Sequence, residues 1–140
     1  MTKAKLSKEI VIRVGNDIGV LDQMTKLLAE KGIDILAVNG YRDREVAVFR
    51  LVTTDNLRAT DLLRDRNYAP REVECVLIDM PHKPGMLRSI TEKLVGEQID
   101  IRHLYATATN DQDRCLVALE CARNESAVVA LNRELHPAAV

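Results

Sequence analysis

Residues 79–105 read DMPHKPGMLRSITEKLVGEQIDIRHLY, and this stretch decides the fold. A strand ends at Met80, and Pro81, Pro84 and Gly85 mark a turn. Leu87, Ile90 and Leu94 then recur at one-face helical spacing, with Thr91 beside them, before Ile99-Asp100-Ile101 opens a second strand. Residues 14–39, VGNDIGVLDQMTKLLAEKGIDILAVN, say the same thing again. At an offset of 66 residues Gly19 falls on Gly85, Ile12 on Ile78, Leu21 on Leu87, Thr25 on Thr91 and Leu28 on Leu94. Ile33-Asp34-Ile35 likewise falls on Ile99-Asp100-Ile101 without a gap. The chain is a tandem repeat.

Outward from the repeat, the rest of the chain follows one route twice. Residues 1–7 read as a loosely held lead-in. Residues 9–14 alternate Ile10, Ile12 and Val14 against Glu9 and Arg13, a half-buried strand with Val11 as the exception. Residues 19–31 form an amphipathic helix with Leu21, Met24 and Leu28 on its apolar face, stopped by Gly32. A strand over 33–39, a hairpin turn at 40–44 and a strand over 45–53 follow, with Ala47, Phe49 and Leu51 on one face and Arg50 on the other. Thr54 or Asp55 caps a helix reaching about Arg66, apolar at Ala59, Leu62 and Leu63. The second copy has strands over 73–80 and 115–121, a turn at 110–113 and a helix over 125–134 ended by Pro137. Each copy is therefore β-α-β-β-α, and an α+β fold of two ferredoxin-like repeats is expected, with antiparallel sheets and helices on one face. The repeats divide as 1–70 and 71–140. Units this small barely bury a core each, so they are expected to pack on each other. A fourth strand has room near 68–72 but only a stub after Leu135.

Composition narrows the function. Hydrophobic residues make up 46% and charged residues 29%, ordinary for a globular chain. A net charge of −1 with no basic block argues against nucleic acid and anionic membrane as partners. Aromatics at 3% leave little for base stacking. No apolar run reaches membrane-spanning length, and residues 1–10 lack a signal-peptide pattern. Three cysteines, an odd number without CxxC, fit a reducing, cytoplasmic setting.

The motif His82-Lys83-Pro84-Gly85-Met86-Leu87, followed by a helix and Ile99-Asp100-Ile101, resembles the ACT domain. Two back-to-back copies over about residues 8–134 resemble the stand-alone tandem ACT proteins that bind amino acids. The resemblance implies that ligand sits where the loop of one domain meets the second strand of its neighbour. Carried over, Asn16, Asp17, Ile18, Gly19, Val20 and Leu21 would face His103 and Tyr105. His82, Lys83, Pro84, Gly85, Met86 and Leu87 would face Val38 and Asn39. The first copy has Ile18 where the family has proline, so its loop is expected to be less rigid.

Physical chemistry supports such a loop independently. A helix starting after Gly85 offers unpaired N–H groups and a positive dipole end, which suit a carboxylate. Glycine allows close approach to the backbone, and loop carbonyls, Asn16, Asp17 or Asn39 could accept from an ammonium. The bland readings are turn geometry for Gly19 and Gly85, core for Leu21 and Leu87, solvated loop for His82 and Lys83, and sheet cover for Tyr105.

No phosphate-binding glycine loop or nucleophile elbow is present. Cys115, Cys121 and His103 match no zinc spacing, and inward cysteines suit neither a metal nor a nucleophile. A non-enzymatic protein without cofactor or metal is expected, binding a free amino acid, forming a homodimer and modulating a metabolic enzyme or regulator. The first rival is an interaction module with empty loops, docking on a metabolic enzyme. The second is a small ferredoxin-like enzyme or RNA binder. It lacks the aromatic strands that RNA would need and any convergent acid–base pair.

Overall fold

A computed structural model describes residues 2–15, 18–109 and 113–133. The elements run β1 (Lys3–Gly15), α1 (Val20–Glu30), β2 (Ile35–Asp43), β3 (Val46–Thr53), α2 (Asn56–Asp65), β4 (Arg71–Pro81), α3 (Met86–Gly96), β5 (Ile101–Thr109), β6 (Arg114–Cys121) and α4 (Asn124–Asn132). This is the α+β, ferredoxin-like repeat, twice. Among the described residues two compact units result, one of residues 8–15 and 18–74 and one of residues 2–7, 75–109 and 113–133. These bounds differ from a division at 70/71, because β1 and β4 each contribute residues to both units.

In the unit of residues 8–74, strands run β2-β3-β1, all antiparallel. Ile10, Ile12 and Leu51 meet Met24, Leu27 and Leu28 of α1 and Ala59 and Leu63 of α2 in one core. Each fully buried Leu or Ile contributes about 1.5–3 kcal/mol by leaving water. The helices form where expected. Gly32 takes φ 72° after α1, and the Ile33 N–H closes onto the Leu28 carbonyl at 2.9 Å. Asp55 caps α2, accepting from the Arg58 N–H at 3.1 Å.

The other unit runs β4-β6-β5, also antiparallel. Val76, Ile78 and Met80 pack with Cys115, Val117, Leu119 and Cys121 under Ile90, Leu94, Ala127 and Leu131.

Four sequence expectations need correction. A loose lead-in over residues 1–7 is not what forms, since β1 takes in the chain from Lys3 onward. Ala4 is buried in the second unit's core, and the Asn132 amide both accepts from the Ala4 N–H and donates to its carbonyl, each at 2.8 Å. The first residues of β1 thus join the unit formed by the other end of the chain, which local pattern cannot foresee. Gly40 is no turn residue but lies in β2, where a Cβ would stand 3.0 Å from the Phe49 ring. The turn is instead Arg44-Glu45, with Arg44 at φ 57°. Glu9, read as outward and solvated, is 1% exposed. Val11, Val48 and Val52 on that same face are buried too, as a nearly continuous apolar run such as 46–52 allows. Leu21 and Leu87, read as core, are 39% and 47% exposed, because they sit in the first helical turn outside both cores. Residues 110–112 of the second hairpin turn, and Glu134 to Pro137 beyond α4, lie outside the described residues.

One device recurs that the sequence reading missed. The Asn56 side chain accepts from the Thr53 N–H at 3.0 Å and donates to the Lys8 carbonyl at 2.7 Å. Asn124 accepts from the Cys121 N–H at 2.8 Å at the matching strand–helix junction. Asparagine suits this place because its amide offers both a donor and an acceptor.

Candidate ligand-binding loops

The two glycines that anchor the repeat occupy the same place in their units. Gly19 precedes α1 with φ 96°, and Gly85 precedes α3 with φ 88°. That left-handed conformation costs a side chain about 1–2 kcal/mol, which glycine avoids. Neither helix start has a side-chain cap. The Met86 N–H reaches back to the Lys83 carbonyl at 3.3 Å. The succeeding amides of Leu87 and Arg88 are first-turn donors, which lack a partner within the helix. A Cβ at either glycine would meet nothing within 4 Å, so the space beside each glycine is open. Each loop therefore combines positive backbone potential with room for a small anion.

Loop surroundings differ. Ile18 is fully exposed, and His82, Lys83 and Pro84 of the other loop are exposed. The His82 N–H donates to the Asp113 carbonyl at 2.8 Å, tying the second loop to the β5–β6 turn. Val20 and Met86 are half-buried, and Met86 packs against its unit's core. Asn16 and Asp17 lie outside the described residues.

Within its own unit, each second-strand residue takes the equivalent face. Asn39 is opposite Arg50 on β3, His103 opposite Glu120 and Tyr105 opposite Ala118 on β6. All three are half-buried on the sheet face away from the helices, because Val38 and Leu104 take the helix-side positions opposite Leu51 and Leu119. The first-repeat loop and Asn39 belong to one unit; His82 to Leu87, His103 and Tyr105 belong to the other.

Cys115 and Cys121 lie in the helix-side core, on the face opposite His103, so the three do not converge. Burial pushes both thiols up, and Asp100 and Glu120 raise Cys121 further. Among the described residues no cluster of three or more metal-ligating side chains occurs. All three cysteines are buried, so a thiol reagent is expected to label them only after denaturant is added. A raised folded value favours the native state below the ordinary thiol value of 9.0 and loses that contribution as pH rises past it. Urea midpoints should therefore fall above pH 9.0 in the parent and fall less in a Cys115→Ala/Cys121→Ala variant.

Missed by sequence reading was a polar group on the face away from the helices. Arg50 is ion-paired with Glu9, and its Nε lies 3.5 Å from the Tyr41 hydroxyl. Burial alone would lower the Arg50 value, but hydrogen bonds to Tyr41 and Glu9 and the Glu9 charge raise it instead. Alternation had placed Glu9 and Arg50 in solvent, and nothing local signals the pairing across 41 residues.

Two ferredoxin-like units, each opening its first helix on a left-handed glycine, define a class of paired small α+β domains. The family model described as "ACT domain pair" matches residues 1–136, and the chain belongs to that family. Its fold is similar to a solved protein from Bacteroides thetaiotaomicron, with TM-score 0.82 at 24% identity over 91% of this chain and 88% of that one. It is also similar to the regulatory subunit of aspartate kinase from Thermus thermophilus in its ligand-free form. There the TM-score is 0.65 at 13% identity, covering 95% and 97% of the two chains. The corresponding subunit from Thermus flavus gives 0.56 at 13% identity, over 93% and 94%. Comparison with curated protein sequences finds no match. No helix among the described residues is long and apolar enough to cross a membrane.

Proposed function

We propose that this chain is a non-catalytic, cytoplasmic regulatory protein that binds a free amino acid at its glycine loops and modulates a metabolic enzyme or regulator. The observation carrying this reading is the duplicated helix start: an uncapped first turn behind a left-handed glycine, with open space beside that glycine, in both units. An α-carboxylate matches those donors, and the first-turn side chains Leu21 and Leu87 are exposed enough to touch what binds. Ligand exchange at such a surface needs no reacting group. The likeness to aspartate kinase regulatory subunits agrees with this reading.

The test is a thermal-shift screen of the full chain against the standard amino acids. Binding to the native state raises the melting temperature, by about 2.7 kcal/mol of added stability at a hundredfold excess over Kd. At least one amino acid should do so. No shift with any of them would sink the ligand-binding reading and leave the empty-loop interaction module. A homodimer is also proposed, because Leu36 and Val38 on the outer strand β2 are 38% and 45% exposed beside unpaired strand edge. Light scattering should give twice the 15.7 kDa chain mass, and a monomer with and without ligand would refute it.

A further inference from the structure

Between α1 and the turn after α2 lies a cleft of about 470 Å³ lined by Gln23, Lys26, Leu27, Glu30, Arg66 and Tyr68. The backbone builds its far wall. Asn67 takes φ 67°, and the Asn67 and Tyr68 N–H groups close onto Arg64 and Leu63 carbonyls at 3.0 Å each, fixing Arg66 and Tyr68 at the helix end. The Tyr68 ring packs against the core, and its hydroxyl donates to Gln23 Oε1 at 3.2 Å. Leu27, 7% exposed, closes the floor.

The charged side chains around this floor, Lys26, Glu30 and Arg66, are exposed. Arg13, Arg64, Arg88, Arg114 and Arg133 each pair with a carboxylate. Lys26 and Arg66 form no ion pair among the described residues, although Glu30 stands one turn from Lys26 on α1. The lining therefore carries two cations against one carboxylate, with one aliphatic side chain, Leu27, and one ring, Tyr68, among them. The repeat shows that these residue types are not demanded by the architecture. At the 66-residue offset Gln23, Lys26, Leu27 and Glu30 become Ser89, Glu92, Lys93 and Gly96, while Leu28 remains Leu94 in the core.

We propose that this cleft is a second ligand site, apart from the glycine loops, that takes a small organic anion. Its carboxylate lies on Lys26 and Arg66, and its apolar body on Leu27 and the Tyr68 ring. Guanidinium and ammonium donors give charge-assisted hydrogen bonds, and the ring gives the body a flat apolar wall. The site stands or falls independently of the loops.

The full chain is titrated with phenylpropionate while backbone amide resonances are followed, with phenylpropionamide and inorganic phosphate as parallel probes. Saturable shifts at Lys26, Leu27, Arg66 and Tyr68 with the carboxylate, at least roughly tenfold weaker with the amide, are expected. Lys26→Ala/Arg66→Ala should lose binding by a similar factor at unchanged melting temperature, since both side chains are exposed. Equal binding of amide and carboxylate, shifts confined to the glycine loops, or unchanged affinity in the double variant would each overturn the proposal. Phosphate binding as strong as phenylpropionate would overturn it too, by reducing the cleft to a generic anion patch.

Discussion

Gly85→Val will abolish amino-acid binding at the second loop, whereas Gly19→Val will weaken binding at the first by less. Valine at Gly85 acts twice. Its branched side chain occupies the open space beside the glycine, where the structure leaves nothing within 4 Å of a Cβ. It also resists φ 88°, at a cost of about 1–2 kcal/mol or somewhat more for a branched residue. The φ 96° at Gly19 imposes similar strain, so the two variants should lose similar stability. The difference expected in binding arises from Pro84 against Ile18. A proline-fixed loop has less conformational freedom to lose when it closes on a ligand, worth roughly 0.5–1 kcal/mol. Circular dichroism first establishes that each variant folds. Calorimetry with the amino acid found by thermal shift then measures the site. Gly85→Asn is the control for strain, since asparagine tolerates this backbone region. It should keep most of the stability and still lose affinity. Parental affinity in Gly85→Val would remove this loop from consideration.

Glu9→Ala should be strongly destabilising, by about 3–5 kcal/mol, because it removes one member of an ion pair that is largely buried. The Glu9 and Arg50 side chains are only 1% and 11% exposed, so water cannot replace the lost partner. Removing both charges is a different matter. Glu9→Met/Arg50→Met leaves an apolar pair of similar bulk and should recover most of the loss, as buried ion pairs often roughly break even against well-packed hydrophobes. Equilibrium urea unfolding of both variants decides it. A cost for Glu9→Ala below about 1 kcal/mol, the range of exposed pairs, would show that the two groups are effectively solvated. The double variant also tests specificity: should it match the parent in stability yet broaden its amide spectrum, the pair serves to fix strand register.

The repeat itself was plain in the sequence. Ile12/Ile78, Leu28/Leu94 and Gly19/Gly85 recur at one offset because each unit must bury the same helix face and turn the same corner. The structure accordingly sets both glycines at left-handed helix starts and both isoleucines in the cores. Asp55 as a cap and Gly32 as a stop were likewise readable, since these depend on contacts within a few residues of the chain. Only tertiary structure could decide what depends on distant residues. That Ala4 completes the second unit's core rests on Asn132, 128 positions away. That Glu9 is buried rests on Arg50, since alternation reports which side of a strand faces the helices but not what covers the other side. That Leu21 and Leu87 stay exposed rests on what packs against the first turn of each helix, and neither side chain joins its unit's core, which periodicity along the helix does not reveal. Sequence fixes period and chemistry locally, whereas burial is a property of what the rest of the chain brings to each face.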